Sequence, residues 1–153
     1  MSVAYLDLGS NIEPQASLRQ AVGLLQAEFE VRRCSSVFET APVGITEQPA
    51  FWNMAVEIET ALLSDALQLR LRSIEDRMGR DRSGPKYGPR NIDIDLILYG
   101  QYAHPQLEAQ AFVLVPICQL CPDHLHPRLG RPLSELLAGL DYRAGDIREL
   151  GPL

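Results

Sequence analysis

The chain of 153 residues lacks a long apolar run, a disulfide framework and an excess of positive charge. No apolar stretch approaches the roughly 20 residues that a membrane-spanning helix requires, so we expect no membrane span. Three cysteines are too few, and odd in number, for a disulfide scaffold. The first residues lack a basic segment and include Asp7, which is not typical of a secretory signal peptide. These absences favour a cytoplasmic protein with reduced thiols.

Positive charge is concentrated in one part of an otherwise acidic chain. The net charge of −6 argues against a general nucleic-acid binder. Residues 70–90 hold seven basic and three acidic side chains, a net charge of +4, so the remainder carries −10. Such a local patch suits a small polyanion better than a nucleic acid. A basic, solvated helix face is the alternative interpretation for the first three arginines of the patch.

The order of predicted elements indicates a single domain over residues 1–153. Hydrophobic periodicity predicts strands over residues 3–8, 31–38, 51–60 and 92–99, a helix from Pro14 and a helix over 64–78. This β-α-β-β-α-β order is typical of an α/β (α+β) fold with a ferredoxin-like split β-α-β core. It predicts a mainly antiparallel sheet flanked by helices, with the two main helices on one face. The apolar run 111–118 predicts a fifth strand, before a short helix near 132–138 and a loosely structured tail.

The most informative segment runs from Lys86 to Tyr99, where a basic loop with glycine and proline leads into a strand. Asp93 and Asp95 share one face of that strand, about 7 Å apart. The other face is predicted to be core and consists of Ile92, Ile94, Leu96 and Leu98. Two like charges on one face are unfavourable unless a cation or a donor lies between them. The segment favours a metal–phosphate site, and a solvated face that pairs aspartate with arginine is the alternative.

A family resemblance rests on the block Gly88-Pro89-Arg90-Asn91-Ile92-Asp93-Ile94-Asp95-Leu96-Ile97. This block resembles the signature of the 6-hydroxymethyl-7,8-dihydropterin pyrophosphokinase family. Further similar segments follow the family order along the chain, at residues 4–11, 36–44, 48–53 and 112–116, then Pro122 and His126-Pro127. The resemblance implies transfer of pyrophosphate from ATP to the pterin hydroxymethyl group, with release of AMP, in folate biosynthesis. It also implies two Mg²⁺ ions and a ferredoxin-like α/β core.

The resemblance assigns the phosphate half of the site to acidic and basic side chains. Asp93 and Asp95 would be the metal ligands. The catalytic arginines would hold phosphate oxygens with forked donors, and they are Arg80, Arg82 and Arg90. Lys86 and His104 would complete the nucleotide-binding set. From the residues alone, a histidine before a proline is more often a surface turn residue.

The resemblance assigns the pterin half to aromatic and amide groups. Phe51 and Phe112 would sandwich the ring, and Asn53 would bind its edge. The remaining predicted substrate-binding residues are Thr40 and Val43, through the nearby backbone, and Tyr87, which would cover the pocket. From the residues alone, plain core packing is the alternative for the two phenylalanines.

Two departures from the family pattern fall in the nucleotide half. Only three residues separate Gly100 from His104, where the family usually has a longer insert. Gln110 stands where the family tends to have an arginine, so one cationic phosphate contact is absent. These departures leave open a diverged, non-catalytic pterin- or nucleotide-binding relative with a weakened ATP site.

The segment from Cys118 to His126 carries one further motif, in which cysteines and histidines lie close together. A zinc site could be drawn from Cys118, Cys121, His124 and His126, although the His-x-His spacing is unusual for one. Because free cysteines behave as small hydrophobes, structural cysteines are the favoured interpretation. The expected partners are ATP and a reduced pterin, with no nucleic acid, no membrane and a monomeric chain.

Overall fold

The computed structural model describes residues 1–41, 47–79, 91–142 and 146–153. Its strands are β1 (Ser2–Ser10), β2 (Glu30–Cys34), β3 (Val37–Thr40), β4 (Phe51–Thr60), β5 (Asp93–Tyr99), β6 (Tyr102–Ala103) and β7 (Ile147–Gly151). Its helices are α1 (Pro14–Glu28), α2 (Ser64–Arg77), α3 (Ala111–Leu120) and α4 (Leu133–Ala138). None of the helices in these ranges combines the length and apolarity needed to cross a bilayer.

The strands form one antiparallel sheet in the order β6-β5-β1-β4-β3-β7, and β2 also pairs with β4. The central order β5-β1-β4-β3, with α1 and α2 as the crossovers, is the split arrangement that the sequence predicts. The predicted fold class is therefore confirmed.

Each face of the sheet has its own apolar cluster. On one face, alternate residues of β1, β4 and β5 pack against the buried stripes of α1 and α2. On the other face, Ala55 and Ile97 pack against α3, which is buried on almost every side. The two main helices thus lie on one face, as predicted, and α3 covers part of the other.

The predicted fifth strand over residues 111–118 is wrong, because this segment is the helix α3. A helix surrounded by apolar partners is apolar all round, so its period of 3.6 is hidden in the sequence. The segment lies against β4 and α4 and buries both Val113 and Ile117. Pro116 lies inside the helix.

Three smaller expectations also need correction. The predicted strand 31–38 is two strands, because Ser35 and Ser36 belong to neither β2 nor β3, and Ser35 Oγ rather than its backbone oxygen accepts the hydrogen bond from Ala55 N. The predicted loose tail contains a strand, since residues 147–151 form β7 and pair with β3. Leu98 does not share a face with Leu96, because the β1–β5 register shifts between Tyr5 and Leu6 and turns Leu98 towards the α3 side.

Candidate active site

Polar side chains gather on the α3 face of the three central strands. Gly9 of β1 lies opposite Asn53 of β4 and Asp93 of β5. Two residues earlier, Asp7 lies opposite Asp95. Since directly opposed residues of antiparallel strands project to the same face, these groups converge on one side of the sheet.

These residues line a pocket between the sheet and the N-terminal end of α3. Its walls are formed by Asp7, Gly9, Thr40, Ala41, Phe51, Asn53, Asp93, Asp95, Ile97, His104, Gln106, Phe112 and Val113. The structure thus brings together seven predicted residues from five parts of the chain: Thr40, Phe51, Asn53, Asp93, Asp95, His104 and Phe112. Apolar walls with a few convergent polar groups are typical of small-molecule sites.

The side chain of Asn53 is held by hydrogen bonds on both sides. Its Oδ1 accepts a hydrogen bond from Thr40 Oγ1 at 3.2 Å. Its amide donates a hydrogen bond to the carboxyl group of Asp7. A Cβ atom at Gly9 would lie 2.8 Å from Asn53 Nδ2, which is too close, so the observed position of the Asn53 amide requires glycine at residue 9. The Gly-Ser-Asn end of β1 therefore begins with a residue that the site requires.

Asp7 is the most deeply buried acid of the pocket, with 5% of its surface exposed. Burial, and then the nearby carboxylates of Asp95 and Asp93, raise the pKa of Asp7 well above its usual value. The hydrogen bond from Asn53 acts in the opposite direction but does not outweigh them. Two half-buried carboxyls and one buried carboxyl therefore lie within a single pocket.

The aromatic walls are positioned by different parts of the fold. Phe51 is the first residue of β4. The segment before it is held close to the end of β1 by Asn11. The Nδ2 group of Asn11 donates hydrogen bonds to Gln48 Oε1 at 2.9 Å and to Pro49 O at 3.1 Å. Phe112 lies in the first turn of α3 rather than on a strand. The two rings are half-buried, which distinguishes them from the fully buried core residues nearby.

A second cavity adjoins the first at the β5 edge of the sheet. It is lined by Gln68, Leu71, Arg72, Glu75, Asp93, Ile94, Asp95, Leu96, Tyr102 and His104. Asp93, Asp95 and His104 line both cavities and so form their boundary. Glu75 of α2 fixes this edge, because its Oε2 accepts a hydrogen bond from the backbone N–H of Ile94 at 2.6 Å.

His104 follows the hairpin that joins β5 to β6. Its Nδ1 accepts a hydrogen bond from Gln106 N at 3.1 Å, which directs any proton of the neutral ring to Nε2. Burial lowers the pKa of His104, although the charge of Asp93 acts against this. The imidazole is therefore a neutral donor at the boundary of the two cavities.

The structure shows where the short connection before His104 and the residue Gln110 lie. The connection after Tyr99 is a tight hairpin, in which Tyr99 pairs with Tyr102 and Gly100 adopts φ +59°. Gln110 occupies the N-cap position of α3.

Five predicted residues of the 80–90 segment and one of the 42–46 segment lie outside the described residues. They are Arg80, Arg82, Lys86, Tyr87, Arg90 and Val43. On either side of this segment, the Asn91 Nδ2 group donates a hydrogen bond to the backbone oxygen of Met78. That bond joins the residue before β5 to the end of α2.

Three of the four residues of the possible zinc motif have separate partners, and Cys118 is buried in the apolar cluster around α3. His126 is fully buried, and its Nε2 lies 2.9 Å from Glu108 Oε1. The ring of His124 packs edge-on against Tyr5, and Cys121 Sγ lies 3.5 Å from Ile117 O. Within the described ranges, no group of three or more His, Cys, Asp or Glu side chains is arranged to hold a metal ion.

Sequence reasoning missed three polar or special residues of the pocket, namely Asp7, Gly9 and Gln106. One signal was available for Asp7, because an acid interrupts the apolar residues of a predicted strand just before a Gly-Ser-Asn turn. Gln106 has no comparable signal, since its position depends on how the segment after β6 folds over the sheet.

A family model described as 7,8-dihydro-6-hydroxymethylpterin-pyrophosphokinase matches residues 5–122. The chain belongs to this family. The family resemblance and the pyrophosphokinase assignment drawn from the sequence are thereby confirmed, and they place the chain among the enzymes of folate synthesis. The matched region contains every residue of both cavities.

Curated relatives from bacteria agree with the family model. The 2-amino-4-hydroxy-6-hydroxymethyldihydropteridine pyrophosphokinase of Bacillus subtilis is 39% identical over 132 residues, which cover 78% of each chain. The Aquifex aeolicus enzyme of the same name is 33% identical over 145 residues, covering 88% of this chain and 90% of the relative.

A solved structure supports the fold alone. A crystal structure of a Plasmodium falciparum HPPK-DHPS triple mutant superposes with a TM-score of 0.73 at 12% identity and covers 90% of this chain. The match spans only 41% of the longer Plasmodium chain.

Proposed function

We propose that this chain transfers a pyrophosphoryl group from ATP to the hydroxymethyl group of a reduced pterin. The observation that supports this most directly is the meeting of two cavities at Asp93, Asp95 and His104. The cavity with aromatic walls suits a flat ring with hydrogen-bonding edges. The polar cavity beside α2 suits a nucleotide polyphosphate, and Arg72 lines it. Two substrates bound in this way have their reacting ends at the shared boundary.

The proposed reaction is a displacement at the β-phosphorus of ATP. The hydroxymethyl oxygen forms a new bond to that phosphorus, and the bond to the oxygen that bridges the α- and β-phosphates breaks. AMP leaves with the bridging oxygen, and the pterin hydroxyl proton is lost to solvent or to a neighbouring acceptor. Such a transfer depends on positioning and on neutralising phosphate charge, with little need for a covalent protein intermediate.

Asp93 and Asp95 are the residues that would hold Mg²⁺, and two ions are part of the proposal. The donor set fits this metal, because Mg²⁺ is commonly held by one or two carboxylates together with substrate phosphates. Bound there, Mg²⁺ would supply positive charge to the phosphate oxygens. His104 offers an N–H donor at the same boundary, and Arg80, Arg82, Lys86 and Arg90 are proposed phosphate ligands through the resemblance.

On the pterin side, Phe51 and Phe112 would enclose the ring, while Asn53 and the backbone near Thr40 would bind its edge. Val43 and Tyr87 are proposed contacts through the resemblance alone. Residues 1–153 would form one catalytic domain, and the chain would act as a monomer in the cytoplasm.

The test is an incubation of the protein with ATP, Mg²⁺ and 6-hydroxymethyl-7,8-dihydropterin. AMP and the pterin diphosphate should accumulate in equal amounts, and AMP formation should stop when pterin is omitted. Absence of AMP at saturating ATP would contradict the proposal. Tight pterin binding without turnover would instead support the non-catalytic relative that Gln110 and the short hairpin after Tyr99 suggest.

A further inference from the structure

Among the described acids that line the pocket, Asp7 is the one to which the proposed reaction gives no role. It lies on the central strand β1, between Ala55 of β4 and Asp95 of β5. Its side chain is buried, yet it contributes to the wall of the cavity that holds Phe51 and Phe112. A buried carboxyl on a central strand is costly unless its oxygens have partners.

Only one of the two carboxyl oxygens of Asp7 is satisfied by the described residues. The amide of Asn53 donates to the carboxyl, whereas Oδ1 is buried and has no hydrogen-bond partner. Leaving such an atom without a partner is rare in folded proteins. The atom is therefore open to a partner that the described residues do not supply.

The position of Oδ1 indicates where that partner would bind. Asp7 is next to Gly9 on the same face, and the Asn53 amide occupies the space that a Cβ of Gly9 would take. The carboxyl lies between the amide of Asn53 and the carboxyl of Asp95. A flat ring whose edge is bound by Asn53 and whose reacting end reaches Asp95 would pass directly over Asp7.

We propose that Asp7 is a further substrate-binding residue, whose Oδ1 accepts a hydrogen bond from an N–H group on the rim of the bound ring. This assignment rests on the proposed function, since a reduced pterin presents amino and ring N–H groups along its rim. An N–H donor is the fitting partner because the carboxylates of Asp95 and Asp93 lie on the same face and attract donors, whereas a ligand acceptor placed there would be repelled by them.

A role as a metal ligand is the competing assignment, and the two cavities argue against it. Asp93 and Asp95 line both cavities, where the phosphates would meet the pterin. Asp7 lines the ring cavity and is absent from the wall of the polar cavity. Its place is beneath the ring, away from the polyphosphate.

The test compares the wild type with Asp7→Asn in calorimetric binding of 6-hydroxymethyl-7,8-dihydropterin, without nucleotide or Mg²⁺. The variant keeps the side-chain shape and an oxygen that accepts from Asn53, but it places an NH₂ donor at the Oδ1 position. We expect pterin affinity to fall about tenfold or more, because a donor then faces a donor. The melting temperature should change little, since the variant keeps the side-chain shape and the oxygen that accepts from Asn53.

Two further variants separate binding from folding. Asp7→Ala should show the same loss of pterin affinity. Glu57→Gln alters another buried carboxyl of the sheet, outside both cavities, and should leave pterin affinity unchanged.

Three outcomes would overturn the assignment. Equal pterin affinity in the wild type and Asp7→Asn removes Asp7 from substrate binding. In a parallel titration with a non-hydrolysable ATP analogue and Mg²⁺, a loss confined to nucleotide binding makes Asp7 part of the cation site instead. A wild-type protein that binds no pterin, either alone or with that analogue and Mg²⁺ present, overturns the proposed function, and this assignment with it.

Discussion

Asp7 lies directly opposite Asp95 in the antiparallel register of β1 and β5. Both carboxyls face the pocket, which Asp93 also lines. Burial, and then the nearby carboxylates, raise the pKa of Asp7, so this group of carboxyls is electrostatically unfavourable. A ligand that brings positive charge or hydrogen-bond donors relieves this repulsion.

Replacement of Asp95 by asparagine should remove AMP formation while pterin binding persists. The variant keeps the side-chain size but loses the charge that would hold Mg²⁺. We expect turnover to fall about a hundredfold or more, because phosphoryl transfer relies on charge neutralisation. The assay is AMP release, with pterin affinity measured in parallel. Asp123→Asn, at an exposed acid outside both cavities, is the control. Full activity of Asp95→Asn would remove this carboxyl from the reaction.

Replacement of Gly9 by alanine should weaken pterin binding. The added Cβ would lie 2.8 Å from Asn53 Nδ2, so the amide must leave its position between Thr40 and Asp7. We expect pterin KM to rise about tenfold, as for the loss of one well-made hydrogen bond to a charged group.

Gly23→Ala is the matched control for that experiment. Gly23 lies in the exposed interior of α1, and nothing lies within 4 Å of an added Cβ. This change should raise the free energy of unfolding by about 0.5–1 kcal/mol without altering pterin KM. Equal pterin KM for both glycine variants would show that the place of Asn53 does not depend on Gly9.

Truncation of Phe112 to alanine should raise the KM for pterin more than the KM for ATP. Phe112 lines the ring cavity and is absent from the wall of the polar cavity. Loss of one stacking face should cost about tenfold in pterin affinity. Phe112→Tyr should recover most of it.

Phe29→Ala is a suitable comparison, since Phe29 packs at the end of α1 against the other core cluster. It should lower stability and leave both KM values unchanged. A parallel rise of both KM values in Phe112→Ala would indicate a general loss of structure.

The pH dependence of stability should show the contribution of Glu57. Burial opposes ionisation of Glu57, but hydrogen bonds from Arg33 and Tyr5 lower its pKa below 4.5. The folded pKa lies below the unfolded value, so the stabilisation is complete above pH 4.5 and is lost as pH falls through the lowered pKa.

Chemical denaturation of the wild type and Glu57→Gln from pH 7 to pH 3 tests this. The difference in free energy of unfolding should be about 1–3 kcal/mol at pH 7 and should shrink below pH 4.5. A difference that is constant over this range would assign the effect to packing rather than to charge.

The sequence alone was sufficient for the central fold and for much of the site. Alternation placed Asp93 and Asp95 on one face of β5, and the structure has that arrangement. Alternation failed for Leu98, because a bulge cannot be seen in the residues of a single strand. It also failed for 111–118, because burial on nearly every side makes a helix look like a buried strand.

Local chemistry, charge pattern and the order of elements were therefore determined by the sequence itself, since each depends on residues close together in the chain. Tertiary structure decided which residues face each other across strands and between layers. Asp7 belongs to the site because β1 lies between β4 and β5 in a particular register, and α3 closes the pocket over it. A shift of one residue in that register would turn the carboxyl to the opposite face of the sheet.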